Sequence, residues 1–189
     1  MKEIVLVRHG KMAVSTDPVS GRDIGEWMRR YDDSGIAKDL APPESLRSVG
    51  QSVSFVMASD LRRSIESAAW LSSPEKVRVD PDLREAVLPE SMGVSLRLSP
   101  TLWKMIARAA WSLNWVKSSE PIDATRQRAS RATDRLCAMS AEHDVVVVVA
   151  HKTFNHFLAG QLLKRGWRGP RFWSGAYWGT ARFVRQAES

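Results

Sequence analysis

Two runs of consecutive aliphatic residues stand out along the chain, IVLV at positions 4–7 and five valines at 145–149. Such uninterrupted runs are typical of strands that are buried on both faces of a parallel sheet. The β-branched and apolar stretch 53–58 predicts another strand, and residues 77–79 and 181–184 are shorter candidates. The sequence therefore predicts a sheet of about five strands.

Elsewhere the apolar residues recur at helical spacing. Ile24, Trp27, Met28 and Tyr31 predict an amphipathic helix over about 22–33. Similar stripes predict helices over about 61–71, 100–116, 123–141 and 153–165. Because helices alternate with strands, we predict an α/β fold, a three-layer sandwich whose mostly parallel central sheet is flanked by helices.

The segment 86–120 interrupts this alternation. Residues 86–98 have no clean period, and Ser99 with Pro100 is typical of a helix start. We interpret the segment as a short helical insertion, or cap, within one domain that spans residues 1–189.

The helix in this insertion predicts two contrasting faces. Its expected apolar face holds Leu102, Ile106, Ala109 and Leu113, and its opposite face holds Lys104, Arg108, Trp111 and Trp115. Tryptophans on the polar face indicate an exposed aromatic patch, either a wall of a substrate pocket or a homodimer contact. The third alternative is that the insertion folds back and buries both faces.

Residues capable of chemistry follow three of the predicted strands. Arg8 and His9 come directly after the first, and His151 follows the valine strand. Arg63 lies one short turn into the helix after the strand at 53–58. Because ligands of open α/β sheets bind beyond the carboxyl ends of the strands, we expect these four side chains to converge.

The convergent set suits a phosphoryl group. Arginine forks bind phosphate in a bidentate manner, and the helices that begin near 61 and 153 point backbone N–H groups at the same region. A histidine beside the phosphorus can act as a covalent nucleophile. The leaving oxygen then needs a proton, for which Glu85 and Glu90 are candidates.

Together these segments resemble the histidine phosphatase superfamily, also called the phosphoglycerate mutase-like family. The resemblance covers about residues 3–165 and is carried by LVRHG at 6–10, SDLRRSIESA at 59–68, DLRE at 82–85 and VVVVVAH at 145–151. The family pattern maps onto Ser59, Leu61, Arg63, Ser67 and Ala68. Each piece is short, and the order and spacing of the set make it specific.

The resemblance implies the role of each residue. His9 would be the nucleophile that becomes phosphohistidine, while Arg8, Arg63 and His151 hold the phosphoryl oxygens. Glu85 would be the proton donor. The implied function is hydrolysis of a small phosphomonoester, and the mechanism requires no metal or cofactor. The short chain favours a phosphatase over a phosphoglycerate-type mutase, which needs a larger cover.

Two departures from the family pattern keep an alternative open. Many members continue RHG with Glu-Thr and have a later Asn, whereas this chain has KMAVS at 11–15. Lys152 and Thr153 stand where the family has Gly-Gly. Lys152 adds a cation to the phosphate pocket or crowds it. The alternative function is a non-catalytic or impaired phosphate-binding protein on the same fold.

Other potential sites have weaker support. An arginine beside His9 repels a cation, and no His-x-His or His-x-x-x-His pair occurs, so we expect no metal. His156 is interpreted as a surface or core histidine, His143 has no assigned role, and Cys137 is expected to pack.

Composition narrows the class of protein further. The chain has 189 residues, a single cysteine and a formal net charge of +7, with 28 basic and 21 acidic residues. One cysteine excludes an internal disulfide framework and favours a reducing, cytoplasmic location. No apolar run could span a membrane, and we expect no signal peptide. The excess charge is spread singly through residues 121–189, so we expect no nucleic-acid partner and a small phosphorylated substrate or inorganic phosphate instead.

Overall fold

The computed structural model describes residues 1–186 and contains two sheets and six α-helices within them. The strands are β1 (Lys2–Arg8), β2 (Val19–Ser20), β3 (Val56–Ala58), β4 (Val77–Val79), β5 (Arg97–Leu98), β6 (Val145–Ala150) and β7 (Thr180–Arg185). The helices are α1 (Ile24–Asp33), α2 (Glu44–Ser52), α3 (Arg62–Leu71), α4 (Pro100–Ser112), α5 (Ile122–Glu142) and α6 (Lys152–Lys164).

The main sheet has the strand order β4-β3-β6-β1-β7. Its first four strands are parallel, and β7 runs antiparallel to β1 at one edge. The register pairs Arg8 with Ala150, so β1 and β6 end side by side. The predicted mostly parallel α/β sheet is confirmed, and its two most aliphatic strands lie next to each other.

Alternate residues of the central strands face two separate cores, which accounts for their unbroken aliphatic sequence. On one face, Ile4 and Val148 pack with side chains of α5 and α6. On the other face, Val5 and Val149 pack with side chains of α2 and α3. Helices therefore cover both faces of the sheet, in the three layers that the sequence predicts.

A third apolar cluster joins α1 to α4 outside the main sheet. Ile24, Trp27 and Tyr31 of α1 pack against Trp103 of α4 in this cluster. The two-stranded sheet β2-β5 lies at the start of both helices and ties them together. Segment 86–120 is thus held mainly by α1 and the residues before it.

Helix α4 is rotated relative to its predicted orientation. The side chains that it buries are Trp103, Ala107, Ala110 and Trp111, whereas Leu102, Ile106 and Leu113 of the expected apolar face are exposed. Trp111 is 2% exposed and donates from Nε1 to the Glu120 carbonyl oxygen, whereas Trp115 is 78% exposed. The prediction that Trp111 and Trp115 form one exposed patch is therefore wrong, because Trp111 is buried within the chain. The homodimer itself stays a prediction.

Three further details differ from the sequence prediction. Helix α2 was not predicted, and it ends at Ser52, so β3 begins three residues later than the predicted strand at 53. The residue types of Ser59 and Asp60 predict an N-cap for α3, but the N-cap of this helix is Leu61.

Among residues 1–186 no helix is long and apolar enough to cross a membrane.

Candidate active site

A cavity of about 830 Å³ opens beyond the carboxyl ends of β1, β3 and β6. Its lining includes Arg8, His9, Arg63 and His151, which were predicted to converge from the strand ends, and the proton-donor candidate Glu85. Helices α1 and α4 and residues 84–90 form the remaining walls. The structure thus brings every proposed catalytic side chain to one cavity.

His9 is buried at the floor of this cavity, with 2% of its surface exposed. Its Nδ1 lies 2.8 Å from the carbonyl oxygen of Gly10, and because a carbonyl can only accept, Nδ1 carries the hydrogen. Burial, and secondarily the Arg63 guanidinium, holds the pKa of His9 well below its usual value. The ring is therefore neutral at pH 7, with the lone pair on Nε2.

Gly10 fixes the backbone that orients His9. Its N–H donates to Ser67 Oγ across 2.9 Å, and that hydroxyl donates to the Arg63 carbonyl oxygen. A Cβ at Gly10 would lie 2.6 Å from the Trp178 ring, so only glycine fits between these elements. Ser67, which matches a position of the family pattern, thus has a structural role here.

Arg8 is half-buried and reaches the cavity from the end of β1. Its Nη1 donates to the Gly175 carbonyl oxygen, and its guanidinium stacks 3.9 Å from the centre of the Tyr177 ring. The Tyr177 ring also lies 5.8 Å from the His9 ring. The loop before β7, which the sequence predicts only as Trp- and Gly-rich, therefore orients the first arginine.

Arg63 is the largest fully buried side chain, and an acidic partner holds it. Its Nη1 donates to Asp32 Oδ1 across 2.9 Å, and its guanidinium lies 4.7 Å from the centre of the Tyr31 ring. Burial raises the pKa of Tyr31 to about 12 and also raises the pKa of Asp32, against the opposing effect of Arg63.

His151 has a defined tautomer as well. Arg63 Nε donates to its Nδ1 across 3.3 Å, so Nε2 carries the hydrogen and donates to Ser59 Oγ across 2.7 Å. The two histidine rings are 5.2 Å apart. Burial, and then Arg63, holds the pKa of His151 well below its usual value. Ser59, which was expected to cap α3, orients His151 instead.

Glu85 lies at the N-terminus of α6, immediately after His151. Its carboxylate accepts the backbone N–H groups of Thr153 and Phe154 at 3.2 and 2.9 Å. Glu90 also lines the cavity but is exposed. The half-buried Glu85 is therefore the better fixed of the two carboxylates that the sequence leaves open.

The chain segment before Glu85 is held by Arg128 of α5. Arg128 Nη1 donates to the carbonyl oxygens of Asp82 and Arg84, and its other nitrogens pair with the Glu120 carboxylate in a bidentate manner. An arginine in the basic C-terminal third thus has a structural role next to the site.

The cavity wall is rich in basic side chains. Arg63 and Arg84 pair with carboxylates, while five further cations on the lining form no ion pair within residues 1–186, namely Arg8, Arg29, Lys104, Arg108 and Lys152. Lys152 is exposed at the edge of the cavity, with its aliphatic stem against Gly175. Burial and the neighbouring Arg8 and Arg63 lower the pKa of Lys104 to about 8.

Three side chains of this site do not follow from the sequence: Tyr31, Asp32 and Tyr177. Lys104 lies on the helix face that the sequence leaves open as a wall of a substrate pocket. Helical spacing places Tyr31 and Lys104 on their helices, but neither helix follows a strand of the main sheet directly. No local pattern signals that α1 and α4 cross above the strand ends. In residues 1–186, no group of three or more His, Cys, Asp or Glu side chains is arranged to hold a metal ion.

The fold and the basic cavity together define an α/β protein with a cluster of cationic side chains at the strand ends. The family model of the histidine phosphatase superfamily (branch 1) matches residues 4–183, so the chain belongs to this superfamily. The match extends past the region 3–165 on which the motifs are found and includes β7. No curated protein sequence matches the chain.

Solved structures of similar fold include several phosphatases. An ecdysone phosphate phosphatase from Bombix mori has a TM-score of 0.59 at 16% identity, covering 98% of this chain and 93% of its own. A phosphoserine phosphatase from Entamoeba histolytica has a TM-score of 0.59 at 14% identity, covering 97% and 91%. A mycobacterial glucosyl-3-phosphoglycerate phosphatase has a TM-score of 0.52 at 22% identity, covering 86% and 80%. At these identities the likeness establishes the shared phosphoglycerate mutase-like fold.

Proposed function

We propose that this protein hydrolyses a small phosphomonoester through a phosphohistidine intermediate on His9. The observation that carries the proposal is the state of the His9 ring. Its Nδ1 hydrogen is engaged by Gly10, and its neutral Nε2 is free in a cavity lined by Arg8 and Arg63. Family membership and phosphatases of the same fold support this reaction class.

In the first step, His9 Nε2 attacks phosphorus and the ester P–O bond breaks. The negative charge on the phosphoryl oxygens is stabilised by Arg8 and Arg63. His151 is neutral, and its Nδ1 accepts from Arg63 Nε, so it orients this arginine toward the phosphoryl oxygens. Glu85 transfers its proton to the leaving oxygen, which departs as an alcohol.

In the second step, the Glu85 carboxylate accepts a proton from water, and the resulting hydroxide attacks phosphorus. The P–N bond breaks, His9 regains its lone pair, and inorganic phosphate leaves. Atoms and charge balance with water as the only co-reactant. The proposed reaction includes no cofactor.

The Lys152 side chain bears on the alternative of an impaired phosphate-binding protein. Lys152 is exposed at the cavity edge, and its stem packs toward Gly175. This arrangement supports the interpretation that Lys152 adds a cation rather than crowding the pocket.

Hydrolysis of p-nitrophenyl phosphate by the native protein and by His9→Ala tests the proposal. We expect turnover by the native protein and its loss in His9→Ala. His143→Ala is the matched control, since His143 precedes β6 at the opposite end of that strand and should retain turnover. Absence of turnover across a broad phosphomonoester panel would favour the binding protein instead.

A further inference from the structure

Helix α4 places two cations in the cavity wall one turn apart, at Lys104 and Arg108. Both side chains are half-buried. Like charges at this spacing on a helix repel each other. Within residues 1–186, neither cation forms an ion pair with a carboxylate, although acidic residues are available nearby on α1 and at 85–90.

Aromatic rings hold Lys104 toward the phosphoryl-binding arginines. Its Nζ lies 4.1 Å from the centre of the Tyr31 ring and 5.0 Å from that of Trp27. The same Tyr31 ring carries the guanidinium of Arg63 at 4.7 Å. Lys104 Nζ and the Arg63 guanidinium therefore lie against the same aromatic ring, next to the proposed phosphoryl site.

Arg108 extends the positive surface away from the strand ends. Its Nη1 donates to the Ala86 carbonyl oxygen across 3.3 Å, and its guanidinium lies 5.1 Å from the centre of the Trp111 ring. These contacts fix the side chain, and the carboxylates of Glu85 and Glu120 act on its charge only from a distance. A half-buried cation with no direct ion pair is stabilised further when a ligand supplies a negative charge beside it.

We infer that Lys104 and Arg108 form a second anion subsite, and that the substrate is a phosphomonoester with a further anionic group a few bonds from the ester. A carboxylate or a second phosphate has the required charge. This inference rests on the proposed function for its first subsite. It assigns specificity to α4, on the wall opposite the strand ends.

The test compares two substrate pairs that differ in one charged group. The first pair is 3-phosphoglycerate and glycerol 3-phosphate, and the longer pair is 4-carboxyphenyl phosphate and phenyl phosphate. We expect kcat/KM to favour the acidic member of at least one pair by about tenfold or more, as one charge-assisted hydrogen bond provides. Lys104→Met should remove most of this preference, and Arg108→Gln should reduce it.

Lys164→Met is the matched control. This variant likewise removes one lysine charge. Lys164 is exposed and lies in the last turn of α6, about 18 Å along the helix from its N-terminus at the cavity. This variant should keep the native preference. If the native protein shows a kcat/KM ratio near one between the members of both pairs, the inference is overturned. It is also overturned if Lys104→Met lowers kcat/KM equally for the acidic and the uncharged member.

Binding measurements separate this inference from the proposed function. Calorimetric titration of His9→Ala with both members of each pair should show about tenfold tighter binding of the acidic member. If the native protein hydrolyses no ester but this preference in binding is present, the catalytic proposal fails and the second subsite stands. Equal binding of both members in each pair would remove the subsite whether or not hydrolysis occurs.

Discussion

Arg63 donates to the Asp32 carboxylate across 2.9 Å, so the most deeply buried cation of the phosphate cavity already has an acidic partner. The arginine side chain is 1% exposed, whereas that of Asp32 is 43% exposed. The carboxylate therefore orients the guanidinium and at the same time opposes an incoming phosphate dianion. Any phosphoryl group must bind beside this negative charge.

Replacing the carboxylate by an amide should strengthen phosphate binding. Asp32→Asn keeps an oxygen that can accept from Arg63 but removes the negative charge, which is worth about 1 kcal/mol at a half-exposed site. We expect inorganic phosphate to inhibit p-nitrophenyl phosphate hydrolysis about fivefold more tightly. Asp33→Asn, which changes the exposed neighbouring residue, is the control. Weaker inhibition in Asp32→Asn would mean that the carboxylate acts mainly by orienting Arg63.

The role of Glu85 can be separated from its contacts by varying the leaving group. Glu85→Gln removes the proton that an alcohol leaving group needs, whereas p-nitrophenolate leaves without one. Because Glu85 also acts in hydrolysis of the phosphoenzyme, kcat/KM is compared, which reports only the phosphorylation of His9. We expect kcat/KM on glycerol 3-phosphate to fall by about 100-fold and kcat/KM on p-nitrophenyl phosphate to change by less than about threefold. The loss of an N–H acceptor at the start of α6 affects both substrates alike, so the ratio isolates proton transfer.

Glu90→Gln is the matched control for this experiment, because Glu90 lines the same cavity from an exposed position. Its ratio of the two rates should equal that of the native protein. A leaving-group effect in Glu90→Gln and none in Glu85→Gln would transfer the proton-donor role to Glu90.

The buried histidines predict a specific pH dependence of stability. Burial, and then Arg63, holds the pKa values of His9 and His151 well below 6.5, so the unfolded chain binds more protons than the native protein below that pH. The free energy of unfolding should have its full value above pH 6.5 and should decrease as the pH drops below 6.5. The expected slope is up to about 1.4 kcal/mol per pH unit for each histidine.

Urea unfolding at pH 7.5, 6.5 and 5.5 measures this slope. His9→Gln removes one of the two groups and should lower the slope between pH 6.5 and 5.5 to about half that of the native protein. The same slope in both proteins would show that His9 is protonated in the folded state over this range.

The sheet and the strand-end residues could be predicted because they depend on local sequence. Unbroken aliphatic runs are buried on both faces, and each run ends at a polar or charged residue, as at Arg8 and His151. Helix α2 escaped prediction because its sequence, ESLRSVGQS, buries little more than Leu46 and Gly50. Its periodic signal is correspondingly weak.

The rotation of α4 could not be predicted from hydrophobicity alone. Its sequence carries two competing apolar stripes, one with Leu102 and Ile106 and one with Trp103 and Trp111. The tryptophans are buried because each indole N–H finds a carbonyl acceptor inside, at Val19 and Glu120. Burial of two large rings with satisfied N–H groups outweighs burial of smaller aliphatic side chains.

The second half of the site depends on tertiary packing rather than on local pattern. Asp32 and Lys104 reach the cavity only because the Trp103 cluster docks α4 onto α1. Many basic residues that raise the net charge lie elsewhere and have structural roles, such as Arg135, which pairs with Asp80 and Asp82. The charge of the cavity thus follows from the positions of a few side chains, and the net charge of the chain does not determine it.

A trapped phosphoenzyme tests the central claim most directly. The native protein is mixed with p-nitrophenyl phosphate, quenched with base within the first turnover, and analysed by mass spectrometry of the intact chain and of its peptides. We predict one added phosphoryl group on the peptide containing His9, stable to base and lost in acid, and none in His9→Ala. Rapid turnover with no phosphoryl group on His9, or with the group on His151, would contradict the account.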